Sequence, residues 1–374
     1  MAWRPGSTRW TGIETMTTRR GFLASLAAIA ACPRPGWADA GSPDFLSAAR
    51  APDGSYRLCG LTGAGEVLFD LPMPDRGHAA AAHPERPEAV AFARRPGNFA
   101  LVIDCREGAV IARLETPENR HFYGHGAFSM GGDLLFTPEN DLDTLDGVIG
   151  VWDVAAGYRR VGAFPSGGVG PHDVMRLPGS ERLVIANGGI ATHPDTGRVQ
   201  LNAPTMRANL AYADPESGPV EVVELDVALR QNSIRHLAMT PSGMVAAAMQ
   251  WQGSEGEHPP LLFTHEQGQA PRLLSAPEDA HRQMRHYAGS VSVSGDGRDL
   301  AITSPRGGLL QRFDRDSGAY LGAVALEDVC GVGPDPAGGF FASTGTGVLT
   351  RLSNDRPLAE AHTRWAWDNH LVAV

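Results

Sequence analysis

The chain has 374 residues, with 45 Gly, 28 Pro, 7% aromatics and a formal net charge of −10. A basic footprint for nucleic acid is absent. All 32 basic residues are Arg, which excludes Schiff-base, P-loop and kinase lysines together.

In chain order, residues 1–40 come first and carry the pattern of a twin-arginine signal peptide. Thr18-Arg19-Arg20-Gly21-Phe22-Leu23 supplies the paired arginines with their flanking positions. The apolar run from Phe22 to Ala31 is too short to span a bilayer. Ala38-Asp39-Ala40 offers small residues for cleavage. Met16 is an alternative start. Ile29-Ala30-Ala31-Cys32 also has the form of a lipoprotein site, but Pro33 directly after the cysteine argues against lipid anchoring at Cys32. Removing residues 1–40 leaves 27 Arg against 40 acids, a charge near −13. The expected product is acidic and periplasmic, with no integral membrane segment. Cys59, Cys105 and Cys330 remain, and an odd number leaves at least one thiol unpaired within a monomer.

From residue 41 to 374 the chain is expected to form one repeat domain. Gly and Pro are spread along it, as in a turn-dense all-β protein. Each unit opens with a polar residue before a short apolar strand, turns at Gly, and returns in a second strand. A third strand then ends in Asp, three residues and Gly: Asp104–Gly108, Asp153–Gly157 and Asp314–Gly318. Such a pair suits a hairpin, because Asp bonds the local backbone and Gly accepts positive φ. The openers are His78, His125, His172, His236, His286, Cys330 and His370, spaced 47, 47, 64, 50, 44 and 40 residues apart. A mean of about 48 matches four-stranded propeller blades. The long unit after His172 carries an insertion around residues 190–207. The strand His370–Val374 lacks following partners, whereas the mature start supplies three strands without an opener. The sequence therefore predicts an all-β, seven-bladed β-propeller whose N- and C-terminal strands share one blade. No helical periodicity of useful length follows residue 41.

The innermost strand of each blade starts near the axis, so the seven openers would form a ring of six His and Cys330. Neutral imidazole and thiolate suit copper, zinc and iron. The competing reading is structural: a polar residue there can cap a loop. His121, four residues before His125, and His193, in the insertion, are weaker candidates for the same ion. Arg120, Arg235 and Arg285 lie near the openers and would attract an anion. Glu139-Asn140-Asp141 offers either a carboxylate ligand or a solvated turn. Met206, Met249 and Met284 would assist Cu(I), though core packing is the default for methionine. No nucleophile elbow, twin CxxC or HExxH motif is present.

Several segments resemble the signatures of an exported proteobacterial family classed only as a domain of unknown function. They are Thr18 to Leu23, Arg120 to Gly126, Thr137-Pro138-Glu139-Asn140, Gly147 to Asp153, Gly168 to His172, and Ala186 to Arg198. The resemblance implies a seven-bladed propeller encoded beside imelysin-type iron-uptake proteins and a di-haem protein, and hence a part in periplasmic iron acquisition. It supplies no activity and no catalytic residues. The leading expectation is metal acquisition, through metal binding on the His-lined central face or docking of partner proteins, and two alternatives stand beside it. One is a redox metalloenzyme with a His-ligated copper or iron centre. The other is a metal-free interaction scaffold.

Overall fold

Short apolar strands separated by Gly turns cannot bury both faces within one hairpin, so they stack. They do so here as seven antiparallel sheets arranged as the blades of a β-propeller. The computed structural model describes residues 35–95, 97–197, 199–353 and 356–374. Most of the expected leader, including Thr18–Leu23 and Cys32, lies outside these residues. Gly36–Val374 form one unit, which begins slightly before the expected boundary at residue 41. Trp37–Ala40 make a 3-10 turn, and the Trp37 indole donates to the His83 carbonyl at 2.9 Å. Among the described residues no helix is long and apolar enough to cross a membrane.

Six blades run in chain order with inner strands Gly77–Ala82, Ala127–Phe128, Pro171–Arg176, Asn232–Met239, Ser290–Val293 and Val329–Pro334. The seventh sheet contains Phe45–Arg50, Tyr56–Leu61 and Val67–Met73. Ala366–Trp367 and Val372–Ala373 both pair with Phe45–Arg50. The expected continuous strand from His370 is thus shorter, and Asp368, Asn369 and His370 lie in the gap between two pieces.

The Asp–Gly turns form as their chemistry requires. Gly108, Gly157 and Gly318 have φ of 67°, 71° and 68°. The Asp104, Asp153 and Asp314 carboxylates accept backbone N–H groups within each turn. The core lies between neighbouring blades. Leu262, Leu300 and Phe313 are fully buried at one such seam, and Val184, Tyr212 and Phe263 at another. Each such side chain contributes roughly 1.5–3 kcal/mol of burial free energy.

The insertion lies between strands Leu183–Asn187 and Asn209–Asp214. It folds back on the first two blades. The Thr192 carbonyl accepts from Asn140 and its hydroxyl from Arg95, both at 2.9 Å. One short helix, Glu278–Gln283, precedes the fifth blade.

Candidate metal centre

The opener residues sit where the inner strands break register. The ladder slips between Gly77 and Ala80 at His78, and between Pro171 and Asp173 at His172. It slips again between Val329 and Val332 at Cys330, and between Ile234 and His236, where Arg235 is left out and His236 follows, paired with Ala248. In the second and seventh blades the inner strand is interrupted outright, and His125 and His370 occupy the gaps. A bulge leaves a residue out of the pairing and re-aims its side chain. Here the side chains turn toward the axis. Gly124 makes the close approach possible: its φ is 97°, and a Cβ there would lie 2.7 Å from the His78 ring.

Five rings from five blades converge. His370 lies 4.6, 4.8 and 4.7 Å from the rings of His78, His125 and His236, centroid to centroid. His172 lies 5.1 Å from His125 and 4.8 Å from His236. Two triads, His78–His125–His172 and His125–His236–His370, present ring nitrogens within 4.8 Å of one another and could hold a metal ion. The Nε2 atoms of His125 and His78 are 3.3 Å apart. A four-coordinate ion with metal–nitrogen bonds of ~2.0–2.1 Å needs an edge of about 3.3–3.4 Å.

Carboxylates stand behind two of the rings. Asp173 Oδ1 is 3.0 Å from His125 Nδ1. It accepts that proton and leaves the lone pair on Nε2, toward the cluster. Backbone N–H groups of Val174 and Leu237 hold the same carboxylate at 2.8 and 3.0 Å. Asp368 lies 3.9 Å from His78 Nδ1 and is clamped by Arg76 at 2.7 Å and Arg94 at 2.6 Å. Since His125 Nε2 accepts, His78 Nε2 carries the proton between them. Were that nitrogen to ligate a metal, the ring would carry its proton on Nδ1, on the side that faces Asp368.

Burial favours the neutral form of four of these rings. It lowers His78 to about 4, with Asp368 opposing the shift. His172, His236 and His370 also lie well below the ordinary histidine value, chiefly through desolvation. Burial works against ionisation of Asp368, yet His78, Arg94 and Arg76 hold its carboxyl well below the usual range. Neutral imidazoles are the form that ligates a metal. The His78 Nδ1, His236 Nδ1 and His370 Nε2 atoms are buried without hydrogen-bond partners. Such orphaned donors and acceptors fit an ion-binding set.

The structure does not bring every expected ligand here. The fifth blade pairs Gly289 with Thr303 at its strand start, so His286 lies three residues upstream of the axial position. It instead contacts His258, with Nε2 and Nδ1 3.0 Å apart. Cys330 sits at the equivalent bulge, but its thiol donates to the Asp328 carbonyl at 3.2 Å. Burial, then Asp328, raises that thiol to about 12, so it is no thiolate. His121 Nδ1 contacts the Phe122 carbonyl at 2.8 Å. His193 Nδ1 accepts from the Asp195 backbone as the N-cap of a 3-10 turn. Glu139 is neither solvated nor free: it is fully buried and paired to both terminal nitrogens of Arg160 at 2.5 and 2.9 Å. Arg120 binds Asp141 at 2.9 Å, and Arg235 donates toward His172 Nδ1 at 3.4 Å. Arg285 is exposed in a left-handed turn, and Met206, Met249 and Met284 are fully buried. Asp173 and Asp368 escaped sequence reasoning, although each lies within two residues of an opener histidine.

Below the cluster, the axis opens into a channel of about 760 Å³ lined by the inner strands of all seven blades. Fold and site together define a β-propeller with a buried histidine cluster on its axis. Within that class, the chain belongs to the family described as protein of unknown function DUF1513, which matches residues 71–374. No curated protein sequence matches it. Its fold is similar to a chain of Kuenenia stuttgartiensis hydrazine synthase, at 15% identity and a TM-score of 0.58, over 86% of this chain and 96% of that one. A chain of the mitotic checkpoint complex matches at 12% identity and a TM-score of 0.53, over 76% and 77%. At such identities the likeness is one of fold.

Proposed function

We propose that this protein is a periplasmic metal-binding propeller that serves metal acquisition, with His78, His125, His172, His236 and His370 as the ligand set. The observation that carries the reading is the convergence of five histidines from five blades, with two triads at ligand spacing. Iron is the cargo suggested by the family resemblance. Imelysin-type iron-uptake proteins and a di-haem protein are the corresponding partners. The export pattern in residues 1–40 supports the compartment.

A second reading is a redox metalloenzyme with copper or iron in the same cluster. What favours it is the channel, whose lining includes His125, His236 and His370 and so gives a small molecule a route to the ligands. Elemental mass spectrometry of natively exported protein, purified without chelators or a His tag, tests both. Stoichiometric iron or copper is expected, retained in His286→Ala and Cys330→Ala and lost when His125, His236 and His370 are all replaced by Ala. Turnover of a small substrate by the loaded protein would select the enzyme. Metal-free protein, even after reloading with iron and copper, would overturn both and leave the interaction scaffold.

A further inference from the structure

The channel beneath the cluster has walls of unusual uniformity. Ala79, Ala80, Val174, Leu237, Val291 and Val332 represent the lining in five blades. The ionisable lining residues are His125, His236, His370, Asp173, Arg176 and Asp296. Each of the last three is engaged in hydrogen bonds. Asp173 is held by His125 and two backbone N–H groups. Arg176 donates to the Leu177 and Ser180 carbonyls at 3.1 and 2.9 Å. Asp296 accepts from Ser294 at 2.7 Å and sits at the exposed mouth beside Pro84 and Pro241. Two wall hydroxyls are also engaged: Ser292 donates to the Val293 carbonyl at 2.9 Å, and Ser129 accepts from the Leu134 N–H at 2.9 Å.

The histidine end is different. His236 and His370 are 3% and 7% exposed, both residues line the channel, and each has a buried nitrogen without a hydrogen-bond partner. The cavity therefore combines a volume in the range of small-molecule sites with apolar walls and a few polar atoms at one end. Water held against such walls makes few hydrogen bonds, so an apolar body that displaces it gains affinity. A charged body would lose its hydration and meet only charged groups that are already hydrogen-bonded.

We propose that the axial channel binds an uncharged, largely apolar small molecule, with one neutral polar head directed at His236 and His370. The site is contiguous with the metal cluster but does not require an ion, so it can be tested separately from the metal reading. The test uses the full mature protein treated with chelator, with 4-phenylimidazole as probe under mildly alkaline conditions where the probe is neutral. Its ring offers one donor and one acceptor. Benzoate and benzamidine, of similar size with charged heads, are the comparisons. Calorimetry should show 4-phenylimidazole binding at least about tenfold tighter than either, a difference of roughly 1.4 kcal/mol. Ala82→Trp narrows the channel at a half-buried wall position, and Ser292→Phe does so deeper in. Each should weaken binding tenfold or more, with circular dichroism unchanged and, for Ala82→Trp, with metal content unchanged after reloading. The proposal is overturned if a charged analogue binds as well as the neutral probe, or if neither plug weakens binding. The first comparison needs no variant, so a misfolded plug does not rescue the idea.

Discussion

At the scale of single residues, the cluster's chemistry follows from desolvation. A histidine in water titrates near 6.5, whereas His78 is lowered to about 4 and three neighbours fall well below 6.5. The unfolded chain therefore binds more protons than the native one as pH falls below 6.5. Stability should be flat above that value and decline toward pH 4, by about 1.4 kcal/mol per pH unit for each histidine involved. Urea unfolding across that range measures it, and a His236→Gln, His370→Gln double variant should give a shallower slope. An unchanged slope would mean that these rings titrate as they do in water. Asp173 makes a second prediction. Asp173→Asn loses the carboxylate that fixes the His125 tautomer, so metal affinity should drop 10–100-fold in a chelator competition. The ring residues His78, His125, His172, His236 and His370 were legible from their spacing alone. His286 was not separable from them, because the short helix Glu278–Gln283 shifts the start of the fifth blade without disturbing the sequence offset.

At the scale of elements, bulges and strand breaks convert a repeat into a site. The same irregularity recurs at His78, His172, Arg235 and Cys330, and a bulge re-aims the side chains beside it. Leu134–Asp141 shows the opposite use of polar residues. Glu139 bonds Thr137 and Arg160, and Thr137 accepts the Trp152 indole N–H at 2.9 Å. Glu139→Ala leaves Arg160 unpaired and should cost about 3 kcal/mol in chemical denaturation. Metal content should stay at the wild-type level. A loss of metal with unchanged stability would instead return Glu139 to the ligand list. From sequence, Glu139-Asn140-Asp141 read as a turn or ligand because strand length cannot be seen locally: the strand runs on through all three residues.

At the scale of the whole molecule, residues far apart in sequence meet at the seam between the sixth and seventh blades. Phe45 stacks on Phe341 with ring centroids 5.3 Å apart, and both are about 1% exposed. Phe45→Ala should cost about 3–5 kcal/mol. Calorimetry should show one transition at lower temperature, because blade contacts run around the ring. Two separate transitions would show that the seam is not coupled to the rest. The axial channel also belongs to this scale, since no blade encloses it alone and all seven contribute lining residues.

The sequence by itself determined the strand-and-turn repeat, the seven units and the positions of the five axial histidines, because those depend on local periodicity, turn chemistry and spacing. Only the tertiary structure decided which openers meet. Convergence depends on where each ladder slips, and that is settled by packing between blades. It moved His286 beside His258 and left Cys330 a protonated thiol on the Asp328 carbonyl. It also brought Asp173 and Asp368 behind His125 and His78, in the latter case across 290 positions of sequence.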